Sequence, residues 1–274
     1  MADVGISGIR DLAKRSLRTL RQEGLHRFIL YGTRYLSWKL QIHRLVRSLP
    51  SPIATVVYIL IRRTVRRTVW LLNRRYPHRY TDADPYKRIL VDPSSIEYTS
   101  GASRRRGWAI DGEWDRRSKH FVQRTRPRAI EQRFVDELEW DETVLADKYD
   151  TSTLEDRGAE IDRLYKHIRD GGYKSQRQLL EESPKTAWEG LNDAMHPLAN
   201  EIAVDIGRDG ELLWNMCGQH RLAIANVLEI DRIPVQVFRR HAEWQAIRDR
   251  ARRGEEIPED LHDHPDLVDV LGDE

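Results

Sequence analysis

An α/β fold of the α+β kind, a small mixed sheet preceded by a basic helical arm, is what this sequence predicts. Three observations carry that expectation. Strand-like apolar runs flank an Asp-Gly turn between 201 and 238, helical periodicity fills 9–75 and 129–183, and charge divides the chain into unlike parts. With 274 residues, 39% of them hydrophobic, there is material for one domain with a real core plus an appendage.

Residues 1–80 hold seventeen Lys or Arg against three Asp or Glu, which is +14. The whole chain carries +2, so residues 81–274 carry 2 − 14 = −12. A basic arm, 1–80, therefore precedes an acidic body, 86–250. Residues 254–274 contain nine acidic and no basic side chains and read as a disordered acidic tail. The single cysteine, Cys217, excludes an internal disulfide and a multi-cysteine metal site, which favours a reducing compartment. The first residues lack the apolar run of a signal peptide, so the cytoplasm is expected.

In the arm, Leu17, Leu20, Phe28, Tyr31, Tyr35 and Trp38 recur at helical spacing until Pro50-Ser51-Pro52 interrupts them. A second helix is expected from Ile53 to about Arg75. It sets Ile53, Val57, Leu60, Ile61, Leu71 and Leu72 on one side and Arg62, Arg63, Arg66 and Arg74 on the other. Its uncharged run, Pro52 to Ile61, is ten residues, against the roughly 20 that a membrane-crossing helix needs. Such a helix suits an anionic membrane surface, nucleic-acid phosphates, or packing and self-association with a solvated Arg face. The partners expected through residues 1–80 are thus DNA or an anionic membrane, peripherally at its inner face, with a homodimer also compatible.

Residues 76–87, with two prolines and several turn formers, read as a linker. Ile89-Leu90-Val91 begins the body as a strand. Trp108 to Asp115 carries an Asp-Gly signal that fits a hairpin or an ordered loop. Ile130, Phe134 and Leu138, and then Ile161, Tyr165 and Ile168, keep helical spacing; Gly171-Gly172 stops that helix, and another runs from Ser175 to Glu182 ahead of Pro184.

The richest stretch follows. Strands Glu201–Ile206 and Glu211–Met216 flank Gly207–Gly210, then Cys217-Gly-Gln-His-Arg221 leads into the apolar helix Leu222–Leu228 and the strand Ile230–Phe238. A helix N-terminus offers unpaired N–H groups and partial positive charge, so Gly218 to Arg221 can hold a phosphate. The competing reading pairs Arg221 with a carboxylate of the acidic body.

Asp209-Gly210, Gly218-Gln-His-Arg-Leu-Ala-Ile-Ala225 and Ile233-Pro-Val-Gln-Val237 together resemble the ParB and sulfiredoxin superfamily, most specifically over 200–242. That superfamily includes partition proteins that bind CTP and DNA, sulfiredoxins and a free-serine kinase. The resemblance implies phosphate contacts from Gly218, Gln219, His220 and Arg221, and a nucleotide (CTP, ATP or ADP) with Mg²⁺ or another phosphorylated small molecule as ligand. Sulfiredoxins carry their cysteine directly before the His-Arg pair; Gln219 stands there in this chain, so that chemistry is not expected. ParB proteins commonly have an acid at the same place, so binding rather than hydrolysis is implied, and no helix-turn-helix pattern follows residue 245.

A kinase, phosphotransferase or nuclease-like hydrolase needs a carboxylate near the reacting group. Asp111, Glu113 and Asp115 are the candidates, in a loop after the first strand, roughly where related kinases place their acid. His241, with Trp244, is placed to close a pocket or, for the tryptophan, to pack in the core. His262 and His264 have metal spacing, but two ligands make too weak a site, and no metal centre is expected. Two function classes follow: a nucleotide- or phosphate-binding module tied to an anionic surface, and an enzyme using 111–115.

Overall fold

The computed structural model describes residues 40–272, without 102–104, 117–118 and 192–193, and a few residues between 25 and 33. The expected helix from Leu17 to Trp38 thus lies largely outside the described residues. The helices are α1 (Ile42–Arg47), α2 (Ser51–Arg75), α3 (Thr125–Phe134), α4 (Thr151–Gly171), α5 (Gln176–Glu182), α6 (Pro184–Glu189), α7 (Gln219–Val227), α8 (Ala242–Arg252) and α9 (Val268–Leu271). The strands are β1 (Arg88–Val91), β2 (Tyr98–Thr99), β3 (Trp108–Ile110), β4 (Lys119–His120), β5 (Ile202–Ile206), β6 (Leu212–Trp214) and β7 (Ile233–His241). The α+β class expected is the one observed.

By contact the chain divides into two units, 1–57 with 192–196, and 58–191 with 197–274. Within the first, Thr55 Oγ1 lies 3.1 Å from Nε2 of the buried His196. The sheet belongs to the second, which also takes in α2 from Tyr58 onward, so the arm does not end where charge alone divides the chain.

Among the described residues the strands form one mixed sheet in the order β1-β7-β5-β6-β2-β4, with β3 also paired to β7. The long central strand β7 organises it. Its first half runs antiparallel to β1, its last three residues run parallel to β3, and β5 lies parallel along it. The β5–β6 hairpin turns at Gly210, whose φ of 90° suits glycine. Trp108–Ile110 pairs with β7 rather than with the residues after it, so the Asp-Gly signal at 111–112 marks an ordered loop and not a hairpin.

One face of the sheet is closed by α3, α4 and α7. Ile130, Ile161, Leu222 and Ile224 pack there against Ile202, Val204, Val235 and Val237. A second cluster holds α2 to the body: Tyr58 and Val69 are buried, Asn73 donates to the Tyr80 carbonyl, and Arg66 pairs with Asp84 at 2.5 Å. Leu60 and Leu71 lie exposed, contrary to the expected apolar side. The helix has apolar residues on more than one face, and periodicity alone does not say which the body takes. As expected, α5 ends at Glu182 ahead of Pro184, and that proline also occupies the first turn of α6.

The acidic tail, expected to be disordered, docks on α8. Leu267 and Asp266 are fully buried, and His264 sits against the Trp244 ring at 4.4 Å while its Nε2 contacts the Gly210 carbonyl at 3.0 Å. Asp266 accepts from Arg240 at 2.8 and 2.5 Å and from the Trp244 indole at 3.1 Å, with Lys87 at 3.3 Å. Asp269 takes both Arg248 and Lys87 at 2.7 Å. Asp266 is committed inside the body and Asp269 at its edge, so these two acids fasten the tail as a clip.

Burial alone would raise the Asp266 carboxyl, but Arg240, helped by Lys87 and Arg248, holds it well below the usual carboxylate range. Asp266→Asn removes the charge that compensates the buried Arg240, and an expected loss of about 3–5 kcal/mol follows, measurable by urea denaturation at neutral pH. Because the folded value is depressed, this contribution is present above the ordinary value of about 4 and fades below it. The gap between parent and variant therefore narrows as pH falls; a gap that widens in acid contradicts the ion-pair account.

Candidate functional site

The turn between β6 and α7 is built by backbone strain and close packing. Met216 has a φ of 44° and Gly218 a φ of 75°. A side chain at 218 would meet Ile202 at 2.9 Å from its Cα and 2.6 Å from its Cγ1, so only glycine fits. Asn215 N–H donates to the Ala203 carbonyl, and the Trp214 indole donates to the Cys217 carbonyl at 2.9 Å. Among the described residues no side chain caps α7, which leaves the N–H groups of its first turn for another acceptor.

Cations gather beside that turn. Arg124 is the N-cap residue of α3, and its guanidinium lies over the Trp214 ring at 4.8 Å. Burial first, and Arg126 second, lower its pKa. Arg126 donates to the Tyr149 hydroxyl at 3.1 Å, and neither arginine pairs with a carboxylate among the described residues. Burial, reinforced by Arg126, pushes the His220 imidazole down to about 4, so it is neutral at physiological pH. Arg157, also felt by His220, is held by Glu160 at 2.7 Å. Cations at the start of α3 oppose that helix's own dipole, and they sit where α7 begins as well.

The other predicted phosphate residues divide. Gln219 and His220 open α7, half-buried. Arg221 turns back into the body: it hydrogen-bonds the Asn200 carbonyl and approaches Glu201 at 3.5 Å, and that buried carboxylate also accepts the N–H of Gln176 at 2.9 Å. The ion-pair reading of Arg221 is the geometry observed.

Asp111, Glu113 and Asp115 lie elsewhere. Ile110 pairs with His241 at the far end of β7, whereas Gly218 rests on Ile202, the partner of Val235. The six steps from Val235 to His241 span about 20 Å, so the structure does not bring the acidic loop to the α7 turn. Asp115 is buried and bound by Arg208, whose Nε and backbone N–H donate to it at 2.8 and 3.1 Å. Burial would raise this carboxyl, but the Arg208 hydrogen bonds hold it well below its usual range, which suits an anchor and not a general base. Glu113 reaches Arg208 at 3.3 Å from a half-exposed position, and Asp111 is exposed.

Asp111, His241 and Glu243 bring ligand atoms within 4.8 Å of one another. His241, however, accepts the Glu243 N–H at Nδ1 and so donates from Nε2 to the Gly112 carbonyl at 2.9 Å. Neither ring nitrogen has a lone pair left for a cation. His241 therefore caps α8 and holds the loop rather than closing a pocket, and Trp244 is a core residue.

Sequence reasoning missed Arg124, Arg126 and Tyr149. A signal was present in Arg124-Thr-Arg-Pro-Arg128, three cations at the start of a helix that has no acid in its first turn.

Asp115→Asn keeps the shape but removes the charge opposite Arg208, and is expected to lower the urea midpoint by the equivalent of about 2 kcal/mol or more. Glu113→Gln, at the exposed rim of the same cluster, should change stability by no more than about 0.5 kcal/mol. Equal effects of the two would contradict an anchoring role for Asp115. No protein-family model matches the chain, and no curated protein or solved structure matches it.

Proposed function

We propose that this protein is a binding module that holds a phosphate-bearing ligand, a nucleotide such as CTP, ATP or ADP or a phosphorylated small molecule, at the turn beginning α7, and that its basic arm attaches it to an anionic surface. One observation carries the ligand half: the uncapped, glycine-started N-terminus of α7 lies beside Arg124 and Arg126, two cations without carboxylate partners among the described residues. Backbone N–H groups and guanidinium forks are complementary to phosphate oxygens. The neutral His220 adds a hydrogen-bonding group without repelling the arginines.

The binding reading is favoured over the enzymatic one by the placement of carboxylates. The acidic loop is about 20 Å away along β7, and its best-ordered member, Asp115, is committed to Arg208. Gln219, where ParB proteins commonly have an acid, fits the same reading. In this reading Arg221 positions the helix against Glu201 rather than touching phosphate.

Calorimetric titration with CTP, ATP, ADP and inorganic phosphate, with and without Mg²⁺, tests it. At least one phosphate compound should bind, and Arg126→Ala should weaken that binding by about 1.5–3 kcal/mol, the range for a hydrogen bond to a charged group. The melting temperature of the free protein should hardly move. Unchanged affinity in Arg126→Ala, or binding abolished only by changes in 111–115, would overturn the assignment.

A further inference from the structure

We infer that the outer face of α2 docks on an anionic lipid membrane; this rests on the surface-attachment half of the proposed function and names the surface. The helix is two-sided. Tyr58 and Val69 are buried against the body, while on the opposite side Leu60, Trp70 and Leu71 are 55%, 55% and 59% exposed. Arg63, Arg67 and Arg74 follow the same face at helical spacing and are exposed too. The Arg74 guanidinium lies 4.8 Å over the Trp70 ring. No Asp or Glu occurs anywhere in α2. Among the described residues no helix is long and apolar enough to cross a membrane, so a face-on contact is the geometry at issue.

Three kinds of partner can be weighed against that face. Duplex DNA rewards the arginines but offers nothing to exposed Leu60, Trp70 and Leu71, whose hydration it would not relieve. A second copy meeting this face with itself buries the apolar residues but sets Arg63, Arg67 and Arg74 against one another with no carboxylate on either side. An anionic bilayer satisfies both requirements: Trp and Leu enter the boundary between headgroups and chains, and the arginines stay level with lipid phosphates. The Asn73 and Arg66 contacts to the body hold the helix in place, so the face is presented as a fixed surface.

The test is co-sedimentation of the full chain with vesicles of phosphatidylcholine alone, or with a minor fraction of phosphatidylglycerol, and a parallel titration with duplex DNA. Binding should require the anionic lipid. Trp70→Gln with Leu71→Gln, both at exposed positions and neutral in charge, should weaken vesicle binding by roughly tenfold or more while leaving thermal unfolding, DNA affinity and nucleotide titrations unchanged. Arg63→Gln with Arg67→Gln should cost a similar factor, shrinking as salt rises. Equal vesicle binding by the Trp70 and Leu71 variant would overturn the inference. So would binding to DNA without binding to vesicles, which leaves the attachment reading standing, or a dimer that the Trp70 and Leu71 substitutions disrupt in a protein that ignores vesicles. Binding to neither surface would remove both the inference and the attachment reading.

Discussion

Two consecutive arginines in the middle of the sheet, Arg239 and Arg240, set the terms for the rest of the fold. Both are buried, and successive residues of a strand face opposite sides. Each side of β7 must therefore supply a carboxylate, because a guanidinium left unpaired in the interior costs several kcal/mol. On one side Asp205 of β5 accepts Arg239 Nε at 2.7 Å, the Ser100 hydroxyl at 2.6 Å and the Asn215 amide at 2.8 Å. On the other, Asp266 arrives from the C-terminal segment to receive Arg240. One acid of the tail, Asp266, thus closes the strand, and a second, Asp269, reaches Arg248 and Lys87 beside it.

The same constraint shapes the ends of the sheet. The β5–β7 register shifts between Val204 and Ile206, opposite the place where Arg239 turns its N–H to Asp205 at 3.3 Å. Burial pushes the Asp205 carboxyl up; Arg239, Ser100 and Asn215 pull against it, and Asn215 ties the pair to the turn that starts α7. The turn that starts α7 is thus mounted on the buried Arg239–Asp205–Asn215 network. At the far end, Arg208 binds Asp115 and His241 meets the Gly112 carbonyl, so these groups hold the loop, while Asp111 stays exposed. Charge there maintains shape, whereas at α7 two cations stand without anionic partners among the described residues.

What could be read from the sequence was what local pattern determines. The β5–β6 hairpin, α7 and β7 follow from alternating and helical apolar spacing around Gly210 and Gly218, and α4 and α5 follow from their periodicity and the Ser175 cap. The tail was misread because nine acidic residues resemble a solvated chain, while the partners that order two of them, Lys87, Arg240 and Arg248, are remote in sequence or lie on other elements. The face of α2 that the body takes was equally out of reach, since Leu60 and Leu71 are as apolar as the buried Val69. Arg124 and Arg126 carried a local signal as cations opening a helix, but their place beside the start of α7 came only with the fold.

The central claim, that α7's N-terminal turn and the α3 arginines form one anion site separate from the acidic loop, is tested most directly by hydrogen–deuterium exchange with and without a bound nucleotide. The account predicts new protection in peptides covering 124–128 and 215–222, with peptides covering 108–116 unchanged. Protection confined to 108–116 and 241–243 would contradict it and return the ligand to the acidic loop.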